Sequence, residues 1–258
     1  MSLELTPRDL ALLWTTWQNR LMAPRQYLRR FWPDATQQAA SIRLSALKSE
    51  GLLRRTLIPW NVDRHIYTIS AAGNRALVEA GLLGPSQARD FPPRPQELTN
   101  ALMHDLGVVD LRIALELTGA NGATWVSDHQ LRQARRWRLG NTRVADGMFE
   151  FEAHGREGRG VLEFERQSYR RPKMTQVLAR LRFDHGNDTI FFVARSEERA
   201  RRVWAWAAEA WTWGDRPERF LVAPLEAVLK DGLDAGFVDL RGEVLGPLKG
   251  SQAVKTLL

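Results

Sequence analysis

The sequence predicts an α/β (α+β) chain in two parts, a small helical part closed by a β-hairpin and a larger part in which helices and strands alternate. Three observations carry this. Capped, helically spaced segments fill residues 6–50, and two alternating runs follow them. Four of the twelve prolines, Pro85, Pro92, Pro93 and Pro95, crowd into GPSQARDFPPRPQE. Proline-rich chain is stiff and continues neither helix nor strand, so residues 84–97 are the expected linker between domains 1–83 and 98–258. Beyond it, short apolar strands alternate with helical patterns, and a chain of 258 residues has room for both parts.

The first helix starts at Thr6-Pro7-Arg8-Asp9, with Thr6 as cap, Pro7 in the first turn and Asp9 at the capping-box position. Leu10, Leu13, Trp14 and Trp17 then recur at helical spacing. A second short helix is expected over Pro24 to Trp32 and is broken by Pro33-Asp34. Asp34 is the expected cap of a third helix, Ala35 to Glu50, which Gly51 ends in a left-handed conformation. Ala40, Leu44 and Leu47 share one face of that helix. Gln38, Ile42 and Ser45 lie opposite, flanked by Thr36 and Arg43. The runs LLRRTLIPW and RHIYTIS, joined by a turn at Asn61-Val62-Asp63, predict a hairpin, and AAGNRALVEAGLL predicts a fourth helix.

Three helices followed by a β-hairpin form the winged helix-turn-helix pattern. RLSALKSEGLLRR…IYTISAAGNRAL resembles the DNA-binding modules of many bacterial regulators. A helix with short polar side chains fits the major groove, and a basic hairpin can follow phosphates. Thr36, Gln38, Ile42 and Ser45 are the candidate groove contacts, and Arg43, Arg54, Arg55 and Arg64 the candidate phosphate contacts. Residues 1–90 hold 12 Lys+Arg against 7 Asp+Glu, which suits such a partner. A winged helix that binds only protein is the competing reading.

The second part predicts a helix over 98–118, a strand at 124–127, an Arg-rich loop at 131–143, and strands at 144–153 and 161–166. A helix at 172–183, a strand at 189–194, a helix at 196–211, a strand at 219–223 and a short last helix follow. The α-β-β-β-α-β order resembles the PD-(D/E)XK nuclease-like fold. Asp146 on the second strand and Glu163 and Glu165 on the third carry the resemblance. Alternation puts Glu163 and Glu165 on one face, and an antiparallel neighbour brings Asp146 to them across 17 residues. Such a site implies Mg²⁺ held by Asp146 and Glu163, with Glu165 beside it, activating water against a scissile phosphate. Here Glu165 stands where that fold has its lysine, and Lys173 on the next helix is the candidate for a relocated amine. Other readings stay open: an inactive nuclease-like scaffold, an unrelated α/β domain, or carboxylates bonded by Arg132, Arg135 or Arg136 in place of a metal.

The chain resembles the replication-relaxation family of bacterial mobile elements. The resemblance rests on TPRDLALL, RLSALKSEGLL and IYTISAAG, then MHDLGVVDLRIAL, VADGMFEF and VLEFERQ, and spans roughly residues 5–195. It implies a double-stranded DNA-binding protein that regulates replication, transfer or transcription on a plasmid or integrative element. A Mg²⁺-dependent nicking endonuclease and an assembly protein whose winged helix binds a replication or mobilisation partner are the alternatives.

Composition agrees and excludes much. The net charge is +7, and 32 of the 37 basic residues are Arg, whose guanidinium fork matches phosphate. There is no Cys, so disulfides, thiolate nucleophiles and Cys-ligated zinc are out. No P-loop or dinucleotide fingerprint occurs, so no nucleotide cofactor is expected. No run reaches the ~18–20 apolar residues of a membrane span, and a cytoplasmic location is expected. Arg135 and Arg136, in a run with Arg132, Arg138, Arg143 and Trp137, are further candidate backbone contacts. Trp204, Trp206, Trp211 and Trp213 read as core or as the interface of a homodimer. His185 reads as a residue at a helix C-terminus, set against the dipole.

Overall fold

The computed structural model describes residues 3–58, 63–89, 95–135, 144–167, 169–210 and 216–246. It forms two compact units, residues 1–109 and 110–258.

In the first unit, helix α1 (Pro7–Asn19) starts at the expected capping box: the Thr6 hydroxyl accepts the Asp9 N–H and the Asp9 carboxylate accepts the Thr6 N–H. Leu12, Leu13 and Trp17 form its buried face. Helix α2 (Pro24–Phe31) is capped by Gln26, whose Oε1 accepts the Ala23 N–H at 2.9 Å. Helix α3 (Gln37–Ser49) begins two residues later than the sequence suggests. Thr36, not Asp34, takes the cap, its hydroxyl accepting the Ala39 N–H. Gly51 ends the segment at φ +73°, as expected.

Strands β1 (Leu53–Leu57) and β2 (His65–Ile69) form the antiparallel hairpin, with Leu53 opposite Ile69 and Leu57 opposite His65. Asn61 and Val62 of the expected turn lie outside the described residues. Tyr67 also exchanges backbone hydrogen bonds with Met22 at 2.8 and 3.0 Å. That bridge makes β2 the inner strand and leaves β1 outermost. Helix α4 (Ala71–Glu79) follows, capped by Ser70.

Helix α5 (Pro95–Glu116) runs through the division between the units. The division therefore falls later than the proline-rich stretch at 84–97. Leu102 and Leu106 pack with Leu21, Ala23, Ile58 and Ile66, and the Gln26 amide donates to the Leu106 carbonyl at 2.8 Å.

The second unit holds a seven-stranded sheet in the order β3-β4-β5-β6-β7-β8-β9. Its strands are β3 (Ala120–Ser127), β4 (Gly147–Ala153), β5 (Arg156–Glu165), β6 (Thr189–Ala194), β7 (Phe220–Pro224), β8 (Phe237–Val238) and β9 (Val244–Leu245). Strand β4 is antiparallel to both β3 and β5, strands β5, β6 and β7 are parallel, and β8 and β9 return antiparallel. Parallel strands need crossovers, supplied here by α7 (Arg171–His185) and α8 (Glu197–Ala210). Both pack on one sheet face: Met174, Val177, Leu178 and Leu181 of α7 and Ala200, Val203 and Ala207 of α8 meet Val161, Ile190, Phe192 and Val222. The other face carries an aromatic layer, with Phe149, Phe151 and Phe237 around Phe191.

Two features depart from the expected order. Residues 131–135, expected in a loop, belong to helix α6 (Asp128–Arg135). Its start is a reciprocal cap between Ser127 and Gln130, a Ser-x-x-Gln signature that was legible in the sequence. After α9 (Leu225–Asp231), the short strands β8 and β9 extend the sheet beyond its expected end. No helix among the described residues is long and apolar enough to cross a membrane.

Candidate functional site

The first candidate surface is the outer face of α3. At about 100° per residue, Gln38, Ile42 and Ser45 fall within roughly 60° of one another, diametrically opposite Ala40, Leu44 and Leu47. The buried set is 2% exposed or less, whereas Gln38, Ile42 and Ser45 are all exposed, Ile42 at 65%. Burial of one stripe thus dictates what the other presents. Thr36 is exposed too, but its hydroxyl serves the helix cap.

Arg43 is placed differently. Its guanidinium grips the Asp9 carboxylate with two nitrogens, Nε at 2.8 Å from Oδ1 and Nη2 on Oδ2, and Nη2 also donates to the Glu4 carbonyl at 3.2 Å. It therefore ties α3 to the start of α1. Burial pushes the Asp9 carboxyl up, but the hydrogen bonds from Arg43 and Thr6 outweigh that and hold it below the usual carboxylate range. Because the folded pKa lies below the unfolded value of about 3.9, this stabilisation is complete above that value. It disappears as pH falls through the folded pKa. Arg43→Ala is expected to cost the first unit about 1.5–3 kcal/mol, the range for hydrogen bonds to charged groups, and Asp9→Asn to flatten the acid limb of its stability curve. Urea melts at pH 7 and pH 3 check both.

Arg54, Arg55 and Arg64 are exposed, because β1 is the outer strand and Arg64 sits at the hairpin's turn with φ +49°. Successive strand residues point to opposite faces, so Arg54, opposite Thr68, and Arg55, opposite Tyr67, leave the hairpin on different sides. Of the Arg-rich run, Arg136, Trp137, Arg138, Arg143 and the side chain of Arg135 lie outside the described residues.

The second candidate is the carboxylate group. Gly147 pairs with Leu162, so Asp146 and Glu163 are cross-strand neighbours on the face that carries α7 and α8. Gly147 has no alternative there, since a Cβ would run into the Trp125 ring. Asp146 is half-buried and its Oδ2 accepts the Phe164 N–H at 2.7 Å. Glu163 is 1% exposed.

Glu165 goes elsewhere. It accepts a two-pronged bond from Arg199 of α8, Nε to Oε2 at 2.7 Å and Nη2 to Oε1 at 2.5 Å, plus the Tyr169 N–H at 3.1 Å. Arg199 Nη2 also donates to the Tyr169 carbonyl, and its guanidinium lies 4.9 Å from the Trp206 ring centre. The arginine that binds Glu165 is thus Arg199, a residue no sequence pattern singled out, and not Arg132. Lys173 is exposed on the first turn of α7, next to the buried Met174.

Of the Mg²⁺ site implied by the nuclease-like resemblance, Asp146 and Glu163 are brought together as cross-strand neighbours that could hold the ion, whereas Glu165 is engaged by Arg199. One of the site's three carboxylates is thus already neutralised by a buried guanidinium, and among the described residues no three His, Asp or Glu side chains gather as metal ligands.

His185, Trp204 and Trp206 make contacts within the second unit. His185 ends α7, and its Nδ1 lies 3.3 Å from Asp188, which also accepts Arg159 Nε at 2.6 Å. Trp204 and Trp206 pack against the core of the second unit, Trp204 Nε1 donating to the Asp239 carbonyl at 2.7 Å. Trp211 and Trp213 lie outside the described residues. Searches for similar proteins bear on none of these roles: no family model, no curated protein and no solved structure matches the chain.

Proposed function

We propose that this chain is a sequence-directed double-stranded DNA-binding protein, with residues 1–83 as a winged helix-turn-helix. In this reading α3 enters the major groove, the β1–β2 hairpin follows the phosphates, and the sheet of the second domain is a nuclease-like scaffold that does not cut. The observation that supports it most is the outer face of α3, where Gln38, Ile42 and Ser45 stand exposed directly opposite the buried stripe. Such a face needs an occupant with both hydrogen-bonding and apolar edges, and the major groove offers both. The exposed hairpin arginines supply the sequence-independent attraction. Following the replication-relaxation resemblance, the protein regulates replication or transcription on a mobile element, as a homodimer reading two half-sites.

A fluorescence titration against duplex DNA tests this. With about six phosphate contacts, log affinity is expected to fall with log salt at a slope near −5. Supercoiled plasmid incubated in the same buffer with Mg²⁺ is expected to stay uncut. A flat salt response, or nicking that Asp146→Ala abolishes, overturns the reading.

A further inference from the structure

Ile42 is an exposed apolar side chain set between two polar ones on the outer face of α3. It is 65% exposed, sits between Gln38 and Ser45 on the same stripe, and lies opposite the buried residues that hold α3 in the unit. Its apolar side chain therefore adds nothing to the core. We infer that Ile42 reads the 5-methyl group of a thymine, so that the target site contains a T·A pair close to the pair read by Gln38. This rests on the DNA-binding reading above and makes it more specific.

In the major groove the thymine methyl is the apolar mark of a base pair, while the amide of Gln matches adenine N6 and N7. An isoleucine beside a glutamine thus selects A·T-containing steps and leaves a cytosine, which lacks the methyl, with no apolar partner. The spacing suits this. Gln38 and Ile42 are four residues apart, about 6 Å along the helix axis at 1.5 Å per residue. Neighbouring base pairs are about 3.4 Å apart, so the two side chains address pairs roughly two steps apart. Both belong to the first two turns of α3, the end of a recognition helix that contacts base edges. Ser45, one turn further on, is short and polar and can accept either partner.

The experiment uses the full chain. Duplexes are selected from a random library, and each thymine of the winning site is replaced in turn by deoxyuridine, which removes only the methyl. At one position wild type is expected to lose about 4-fold in affinity, the equivalent of one buried carbon. Ile42→Ala is expected to bind the thymine and uracil duplexes equally at that position while keeping the wild-type salt slope on random DNA. Because Ile42 is exposed, the variant folds as wild type does, and its circular dichroism and urea midpoint verify that. Uniform indifference of wild type to uracil, or an Ile42→Ala protein that still distinguishes thymine from uracil, overturns the inference but leaves DNA binding standing. Absence of salt-dependent duplex binding by wild type overturns both.

Discussion

Arg199→Met is expected to destabilise the second domain by about 3–5 kcal/mol, the cost of leaving one partner of a buried ion pair charged and alone. Glu165 is 2% exposed and Arg199 6%, so neither charge can turn to water when the other is removed. The loss also frees the Tyr169 carbonyl and the face of Trp206, both of which Arg199 covers. Glu165→Leu alone is expected to cost a similar amount, because the guanidinium is then the stranded charge. The double variant Glu165→Leu/Arg199→Met is expected to recover most of the loss, since well-packed apolar side chains replace buried pairs at little net cost. Urea denaturation followed by tryptophan fluorescence measures all three. Single variants within about 1 kcal/mol of wild type would show that the pair is solvated. The experiment bears on chemistry as well, because the position to which the nuclease-like resemblance assigns a lysine is here committed to a structural salt bridge.

The triple variant Arg54→Ala/Arg55→Ala/Arg64→Ala is expected to lower duplex affinity about 60-fold at 0.1 M salt. The magnitude follows from counterion release, in which each neutralised phosphate changes log affinity by about 0.9 per decade of salt. Because Arg54 and Arg55 leave opposite faces of β1, two contacts are lost and the salt slope falls by about two. The three side chains are exposed, so their removal is expected to leave the urea midpoint unchanged. The single variants then sort them. Arg54 and Arg55 leave opposite faces of β1, so the one whose loss leaves the slope intact faces away from the duplex. A triple variant with unaltered affinity would place the duplex elsewhere on the molecule.

Much of the candidate DNA surface was legible in the sequence because it follows from local geometry. The exposure of Gln38, Ile42 and Ser45 is the complement of burying Ala40, Leu44 and Leu47 at helical period. The roles of the charged residues were not legible. Arg43 read as a phosphate contact because it lies on the flank of α3, yet it belongs to Asp9, 34 residues earlier. Glu165 read as a member of a three-carboxylate group because strand alternation puts it beside Glu163, yet it belongs to Arg199, 34 residues later. Helix α6 was missed although its Ser127–Gln130 cap was present in the sequence.

The division follows from the range of the interactions. Helix starts at Thr6 and Ser70, the left-handed stop at Gly51 and the antiparallel partnering of the two hairpin strands depend on neighbours a few residues away, and apolar periodicity reports them directly. The end of the first unit inside α5 depends on the Gln26 amide reaching a carbonyl 80 residues away, and the neutralisation of Glu165 on a guanidinium carried in by α8. With 32 arginines in the chain, nearly every carboxylate has several possible partners. Charge has no period that would mark the right one, so only the packing of the helices on the sheet selects which guanidinium arrives.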